Sequence, residues 1–285
     1  MRVIVCIKQI GYVYHPIAID SPGGSIDPEK IVYMLNPYDE VALEEAVRIK
    51  EKFPGSEVTV ITAGPPQVNK TLRYAFAFGA DRMIRIHCRK LAPWSTSLVL
   101  AAVIKDLEYD LILCGKKAID TNDNQVGSFI AEWLNIAQVS GIVGLEVSPQ
   151  REKAIVERYL GKGDRDVIEC NLPALFTVEK TMNDPRYPTV PNRLMAERQE
   201  IHEIEAESLD VNFDSEVDLT EFMSLSPPRP RPKKVFTPDS KLSATERMKM
   251  IMSGGMVAKK SDLLKGPPEE LADQIIEILI QEKII

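Results

Sequence analysis

Short apolar runs alternate with longer amphipathic stretches through the first half of the chain. Val3–Ile7, Val58–Thr62, Met83–His87 and Leu111–Cys114 are brief, apolar-rich and largely β-branched, the pattern of strands buried in a sheet. Between them, Asn36–Phe53, Gln67–Phe78, Thr96–Leu107 and the residues from Gly127 onward read as helices. In the first of these, Ala42, Ala46, Ile49 and Phe53 fall on one stripe, and Gly55 stops the helix. Asn36 is a favoured N-cap, Pro37 suits the first helical position, and Asp39 and Glu40 complement the helix dipole. Strands alternating with helices in this way predict an α/β domain built on a parallel sheet.

The pattern changes after the fourth helix. Ile142–Val147, Ala154–Leu160, Asp166–Cys170 and Ala174–Val178 are short strands with little helix between them, and Gly161-Lys162-Gly163 is a hairpin turn. They predict an antiparallel extension of the same sheet. Asn183–Gln199, with Pro185, Pro188 and Pro191, reads as an irregular, proline-braced loop. From Glu203 to Glu221 there are eight acids and no Lys or Arg, the composition of a solvated, extended segment. Residues 227–234 then switch to basic polyproline. Ser243–Glu246 is a capping box opening a helix that Gly254-Gly255 ends. Glu269–Lys283 is a last helix, with Leu271, Ile275, Ile278 and Leu279 on its apolar face. The expected organisation is a domain over residues 1–200 and an extended C-terminal arm over 201–285.

Composition narrows the function. A chain of 285 residues that is 44% hydrophobic and 27% charged is an ordinary globular protein. Its net charge of −7 argues against nucleic-acid binding, and no apolar run approaches the ~18 residues of a membrane helix. The first strand begins at Arg2, which leaves no room ahead of it for a leader and leads to the expectation of a cytoplasmic protein. The four cysteines and three histidines are scattered, a distribution that suggests neither a metal site nor a nucleophilic triad. Neither G-x-G-x-x-G nor the P-loop pattern occurs, and Pro22–Asp27 reads as a turn rather than a phosphate loop.

One stretch carries candidate chemistry. Between the strand Leu111–Cys114 and the helix beginning at Gly127 lie Asp120, Asn122, Asp123, Asn124 and Gln125. A strand-to-helix turn of this kind opens at the carboxyl edge of a parallel sheet, where ligands bind, and the helix N-terminus favours a phosphate. Asn and Gln both donate and accept, which suits a base or a sugar hydroxyl. Two carboxylates with only Lys116 and Lys117 beside them make a poor cradle for a triphosphate. They suit a nucleoside monophosphate or the adenosine end of a larger cofactor. The same five side chains also fit a solvated turn.

Four separated motifs resemble one family. Gly115–Gly127, GKKAIDTNDNQVG, is similar to the nucleotide loop of the electron-transfer flavoprotein beta subunit, whose usual form is close to GKQAIDxDxNQxG. RVIVCIKQI resembles that family's first strand, NPYDEVALEEAVRIKE its NPxxExAxEEAxRLKE helix, and NDPRYPTVPN its partner-recognition segment. The resemblance covers residues 1–192 and implies an adenine nucleotide alpha hydrolase-like fold. It implies one half of a heterodimer: an electron carrier without catalytic residues of its own, holding a structural AMP. The alpha subunit would carry the FAD and be embraced by the arm. Acyl-CoA dehydrogenases would be the electron donors and a quinone-linked membrane oxidoreductase the acceptor.

Carried over position by position, the nucleotide contacts implied are Cys6, Asn36, Pro37, Tyr38, Asp39, Ala63, and the stretch from Gly115 and Lys116 through Asp120, Asn122, Asp123, Asn124 and Gln125 to Val126. Pro185, Arg186, Tyr187, Val190 and Pro191 would dock the dehydrogenase, with Val190 at the place of the family's leucine anchor. The basic tail that often follows is replaced by Met195-Ala-Glu-Arg-Gln-Glu. Val13, beside Tyr12 and Tyr14, stands where a family tyrosine lies near the flavin, and Tyr38 is a second candidate. Two alternatives remain: an electron-bifurcating relative holding a second FAD in the same pocket, and a free-standing adenine-nucleotide-binding enzyme or stress protein.

Overall fold

The computed structural model describes residues 1–13, 31–88, 92–211, 238–239, 242–252 and 266–281. Met1–Pro227 and Pro228–Ile285 are two separate compact units. The first contains β1 (Arg2–Cys6), β2 (Gln9–Val13), β3 (Ile31–Leu35), α1 (Pro37–Lys52), β4 (Glu57–Ala63), α2 (Asn69–Phe78), β5 (Arg82–His87), α3 (Pro93–Lys105) and β6 (Leu111–Gly115). It continues through α4 (Val126–Leu134), β7 (Ala137–Val147), β8 (Lys153–Gly161), β9 (Asp164–Asn171), β10 (Ala174–Val178), α5 (Val190–Arg198) and β11 (His202–Glu205).

Nine of these strands form one sheet in the order β11-β5-β4-β1-β6-β10-β7-β8-β9. Every pairing from β11 to β7 is parallel, while β8 and β9 add the antiparallel extension. Alternation along β1 explains the two cores. Val3 and Val5 pack with Ala42, Ala46 and Leu72 from α1 and α2 on one face. Ile4 and Cys6 pack with Val99, Leu100 and Ile130 from α3 and α4 on the other. A Trp94–Phe129–Trp133 cluster, with ring centroids 5.0 and 5.1 Å from Trp94, fastens α3 to α4.

The α/β class and the antiparallel extension stand as expected, and five details differ. Ala174–Val178 is not part of the extension. All five residues are buried, and β10 inserts between β6 and β7, parallel to both. A strand apolar on both faces is stable only inside a sheet covered on both sides. Next, β7 begins at Ala137, pairs with β10 through Ser140, then turns at Gly141 (φ +72°) to run antiparallel to β8. Third, β2 and β3 form a separate antiparallel hairpin. Fourth, α5 occupies the second half of the segment expected to be irregular. Pro191 lies in its first turn, where no N–H partner is needed, and the Thr189 hydroxyl caps the Asn192 N–H. Fifth, part of the acidic segment is the edge strand β11, whose Glu203 pairs with buried Arg85 at 2.7 Å. β11 lies past residue 200, so the first unit is longer than the domain expected from the sequence.

The second unit contains α6 (Ala244–Met252) and α7 (Pro268–Gln281). The capping box forms as its spacing requires. Ser243 Oγ accepts from the Glu246 N–H at 3.4 Å, and a Glu246 carboxylate oxygen accepts from the Ser243 N–H at 3.0 Å. On α7, Ile275, Ile276, Ile278 and Ile280 are exposed. The turn at Pro22–Asp27, Tyr14, His15, the basic polyproline stretch, Gly254-Gly255 and Lys283 lie outside the described residues. No helix among the described residues is long and apolar enough to cross a membrane.

Candidate functional site

The carboxyl ends of β1, β4 and β6 converge on one cavity of ≈ 220 Å³. Cys6 and Lys8 line it from β1 and the turn after it, Thr62 and Ala63 from β4, and Cys114 and Gly115 from β6. Asn36 and Asp39 enter from the start of α1, Pro93, Thr96 and Leu100 from α3, and Asp123 to Gly127 from the start of α4.

Buried polar side chains shape this rim. Asn36, 1% exposed, sits at the N-cap position of α1 without capping it. Its amide instead donates to the Lys117 carbonyl at 3.0 Å and accepts from the Ile119 N–H at 3.3 Å. It therefore ties the start of α1 to the loop after β6, a role the capping expectation missed. Asp39, 5% exposed, spans two strand ends: its carboxylate accepts from the Lys8 N–H at 2.7 Å and the Gly115 N–H at 3.0 Å. Gly115 must be glycine here, because a Cβ would stand 2.3 Å from Asp39 Oδ1. Burial pushes the Asp39 carboxyl up to about 7, against the lowering effect of those hydrogen bonds. Burial likewise pushes the Cys6 thiol up to about 12 and Cys114, its neighbour in register, well above its ordinary value.

The loop 118–125 is wound tightly, with Asn122 (φ 61°) and Asn124 (φ 55°) in the left-handed region that Asn tolerates best after Gly. It delivers α4 with no side-chain cap at Gln125, so the first N–H groups of that helix remain available at the cavity wall. Gly127 lets α4 approach the sheet: a Cβ there would lie 2.7 Å from Thr177 and 2.8 Å from Cys114 Sγ. The lysines at the rim are each engaged. Lys8 Nζ meets Asp120 at 2.9 Å, Lys116 Nζ meets Glu179 at 2.5 Å, and Lys117 Nζ lies 5.8 Å from the Tyr38 ring centre.

Of the residues expected to hold a nucleotide, Cys6, Asn36, Asp39, Ala63, Gly115, Lys116, Asp123, Asn124, Gln125 and Val126 line the cavity. Pro37, Tyr38, Asp120 and Asn122 stand behind or beside it; Asp120 bonds two residues of its lining, the Lys8 ammonium and the Thr121 N–H. The α3 wall (Pro93, Thr96 and Leu100) was not among the expected contacts, because hydroxyl side chains at a helix start do not by themselves distinguish a ligand wall from an ordinary helix opening. The run Pro93–Ser97 was the available signal.

The docking residues lie elsewhere. Tyr187 is 89% and Val190 70% exposed, and Leu194 follows Val190 one turn later on α5. Arg186 turns inward: its guanidinium bonds Glu44 at 2.9 and 3.0 Å and Glu51 at 2.5 and 3.0 Å. Pro185 is half-buried and Pro191 exposed.

Residues 24–209 match the electron transfer flavoprotein domain. The chain belongs to the electron transfer flavoprotein beta subunit family. It is 33% identical to the electron transfer flavoprotein subunit beta of Bacillus subtilis, over 90% of this chain and 100% of that protein. It is 40% identical to the caffeyl-CoA reductase-Etf complex subunit CarD of Acetobacterium woodii, over 70% of this chain and 77% of that protein. The human electron transfer flavoprotein subunit beta is 33% identical over 77% of this chain and 87% of its own length. Membership in this family makes the chain a flavoprotein subunit of electron transport.

Proposed function

We propose that this beta subunit holds AMP in the cavity at the carboxyl rim and pairs with an alpha subunit that carries the electron-shuttling FAD. The observation that carries this reading is the uncapped start of α4, which faces the cavity together with Asn124 and Gln125. Helix N–H groups suit a phosphate, and amide side chains suit a base or ribose. The site fits one phosphate better than several. Its three lysines are already occupied, and Asp123 opposes further negative charge. The cavity is also small beside the ~300–1,000 Å³ of ordinary ligand sites, which favours a mononucleotide over a dinucleotide.

In this reading AMP is structural. It ties the loop 118–125 to α1 and β4, and the electrons pass through the flavin of the partner subunit. Val190, with Tyr187 and Leu194, anchors the electron donor, an acyl-CoA dehydrogenase; Arg186 braces that anchor from behind. The acceptor is a quinone-linked membrane oxidoreductase, and the complex works in the cytoplasm.

Denaturing the purified alpha/beta complex and identifying the nucleotides released tests the proposal. One FAD and one AMP per heterodimer are expected. Two FAD would replace this reading with that of an electron-bifurcating flavoprotein, in which the same pocket holds the second flavin.

A further inference from the structure

The buried carboxylate of Asp39 has no task in the reading above beyond holding two strand ends, yet it forms part of the cavity wall. We propose that Asp39 takes up a proton from solvent when a nucleotide phosphate enters the cavity, so that adenylate affinity depends on that charge being neutralised in the bound complex. This inference rests on the cavity being a nucleotide monophosphate site.

Among the described residues that line the cavity, Asp39 is the buried carboxylate, and Asp123, the other carboxylate there, is exposed to solvent. From β1, Cys6 presents a thiol that burial keeps protonated, and from β6, Cys114 does the same. From the turn after β1, the Lys8 ammonium is held by Asp120 at 2.9 Å, and it attracts Asp39 more weakly than the backbone donors do. From the loop after β6, Lys116 is bound to Glu179 at 2.5 Å and Lys117 sits over the Tyr38 ring. Asn36, beside Asp39 at the start of α1, is neutral. A bound phosphate dianion therefore shares the cavity with a carboxylate, and two like charges in one site raise the weaker acid. Asp39 is that acid: burial has pushed it up to about 7, above the ~6 of a phosphate monoester's second ionisation. Once protonated, it keeps one carboxyl oxygen to accept from one of the two rim N–H groups, while β1 and β6 stay joined through their own parallel pairing.

The sign follows from linkage. Above pH 7 the empty site has lost the proton that the filled site holds, so affinity falls by about tenfold per pH unit until the bound-state value is reached. The test uses the whole alpha/beta complex stripped of nucleotide, with AMP and adenosine as probes from pH 6.5 to 9. AMP affinity should fall with that slope while adenosine affinity stays flat. Titration calorimetry at pH 8 in buffers of different ionisation enthalpy should show about one proton taken up per AMP. Asp39→Asn should bind AMP without proton uptake and with no pH slope. Equal slopes for AMP and adenosine overturn the inference, and this comparison stands even where the variant does not fold. Uptake that persists in Asp39→Asn also overturns it, because the phosphate is then the acceptor. Failure of AMP to bind at any pH is a different result and removes the nucleotide reading itself.

Discussion

Asn36 and Asp39 show how much one side chain can decide at this rim. Each is buried, and each bonds backbone from a segment remote in sequence: Asn36 to the loop after β6, Asp39 to the ends of β1 and β6. Asn36→Ala leaves a part-buried carbonyl and N–H unmatched, which should cost about 1 kcal/mol. Urea unfolding measures that cost, and AMP affinity should fall with it. A loss of stability with AMP affinity intact would show that the loop is held by other contacts. Asp39 also bears on stability. Its carboxyl is raised on folding, so its contribution is fully present below the ordinary Asp range and is lost as pH rises through about 7. The melting temperature of the nucleotide-free complex should therefore rise as pH falls from 8 to 6. Both residues stood out in the sequence, but their partners did not. Nothing in the run NPYD shows which backbone groups, some eighty positions on, the folded chain brings within 3.3 Å.

At the scale of elements, the segment after β10 is the instructive case. Three prolines argue for a loop, yet α5 forms because Pro191 falls in the one turn that tolerates it and Arg73 bonds the Ala196 and Gln199 carbonyls at its end. Ahead of it, Arg186 ties its own segment to α1 through Glu44 and Glu51. Burial alone would raise Glu44, but its bonds to Arg186 and Arg48 outweigh this and hold it below the usual carboxylate range; the Arg186 bonds lower Glu51 too. Both contributions are therefore present above the ordinary Glu value and are lost as pH falls through the lowered folded values. Glu44→Gln should destabilise the protein by about 2 kcal/mol, less than for a fully buried pair because Arg186 is a third exposed. Val190→Asp should abolish electron transfer from the dehydrogenase while flavin content stays intact. Stopped-flow reduction of the complex and its flavin spectrum check both halves, and loss of flavin would mean that the segment is structural.

At the scale of the molecule, the chain divides at Pro227 into two units. Among the described residues, the sheet, both cores and the cavity lie in the first. A chain ending at Pro227 should unfold cooperatively and bind AMP but fail to co-purify with the alpha subunit; size-exclusion chromatography of the co-expressed pair reads this directly. The exposed isoleucines of α7 are the surface whose loss should matter. Hydrophobic period, β-branched runs and turn residues sufficed to determine the α/β class, the strands β1, β4, β5 and β6, the helices between them and the β8–β9 hairpin, because each depends on local propensity and on which face is apolar. The polar run from Asp120 to Gln125 marked the loop that borders the cavity for the same reason: side-chain chemistry is written residue by residue. Only the tertiary structure decided that β10 lies inside the sheet, that α3 walls the cavity, that β11 closes the edge, and that Arg186 points inward. Those outcomes depend on which distant surfaces meet, and the free energy of that meeting belongs to pairs of segments rather than to either one alone.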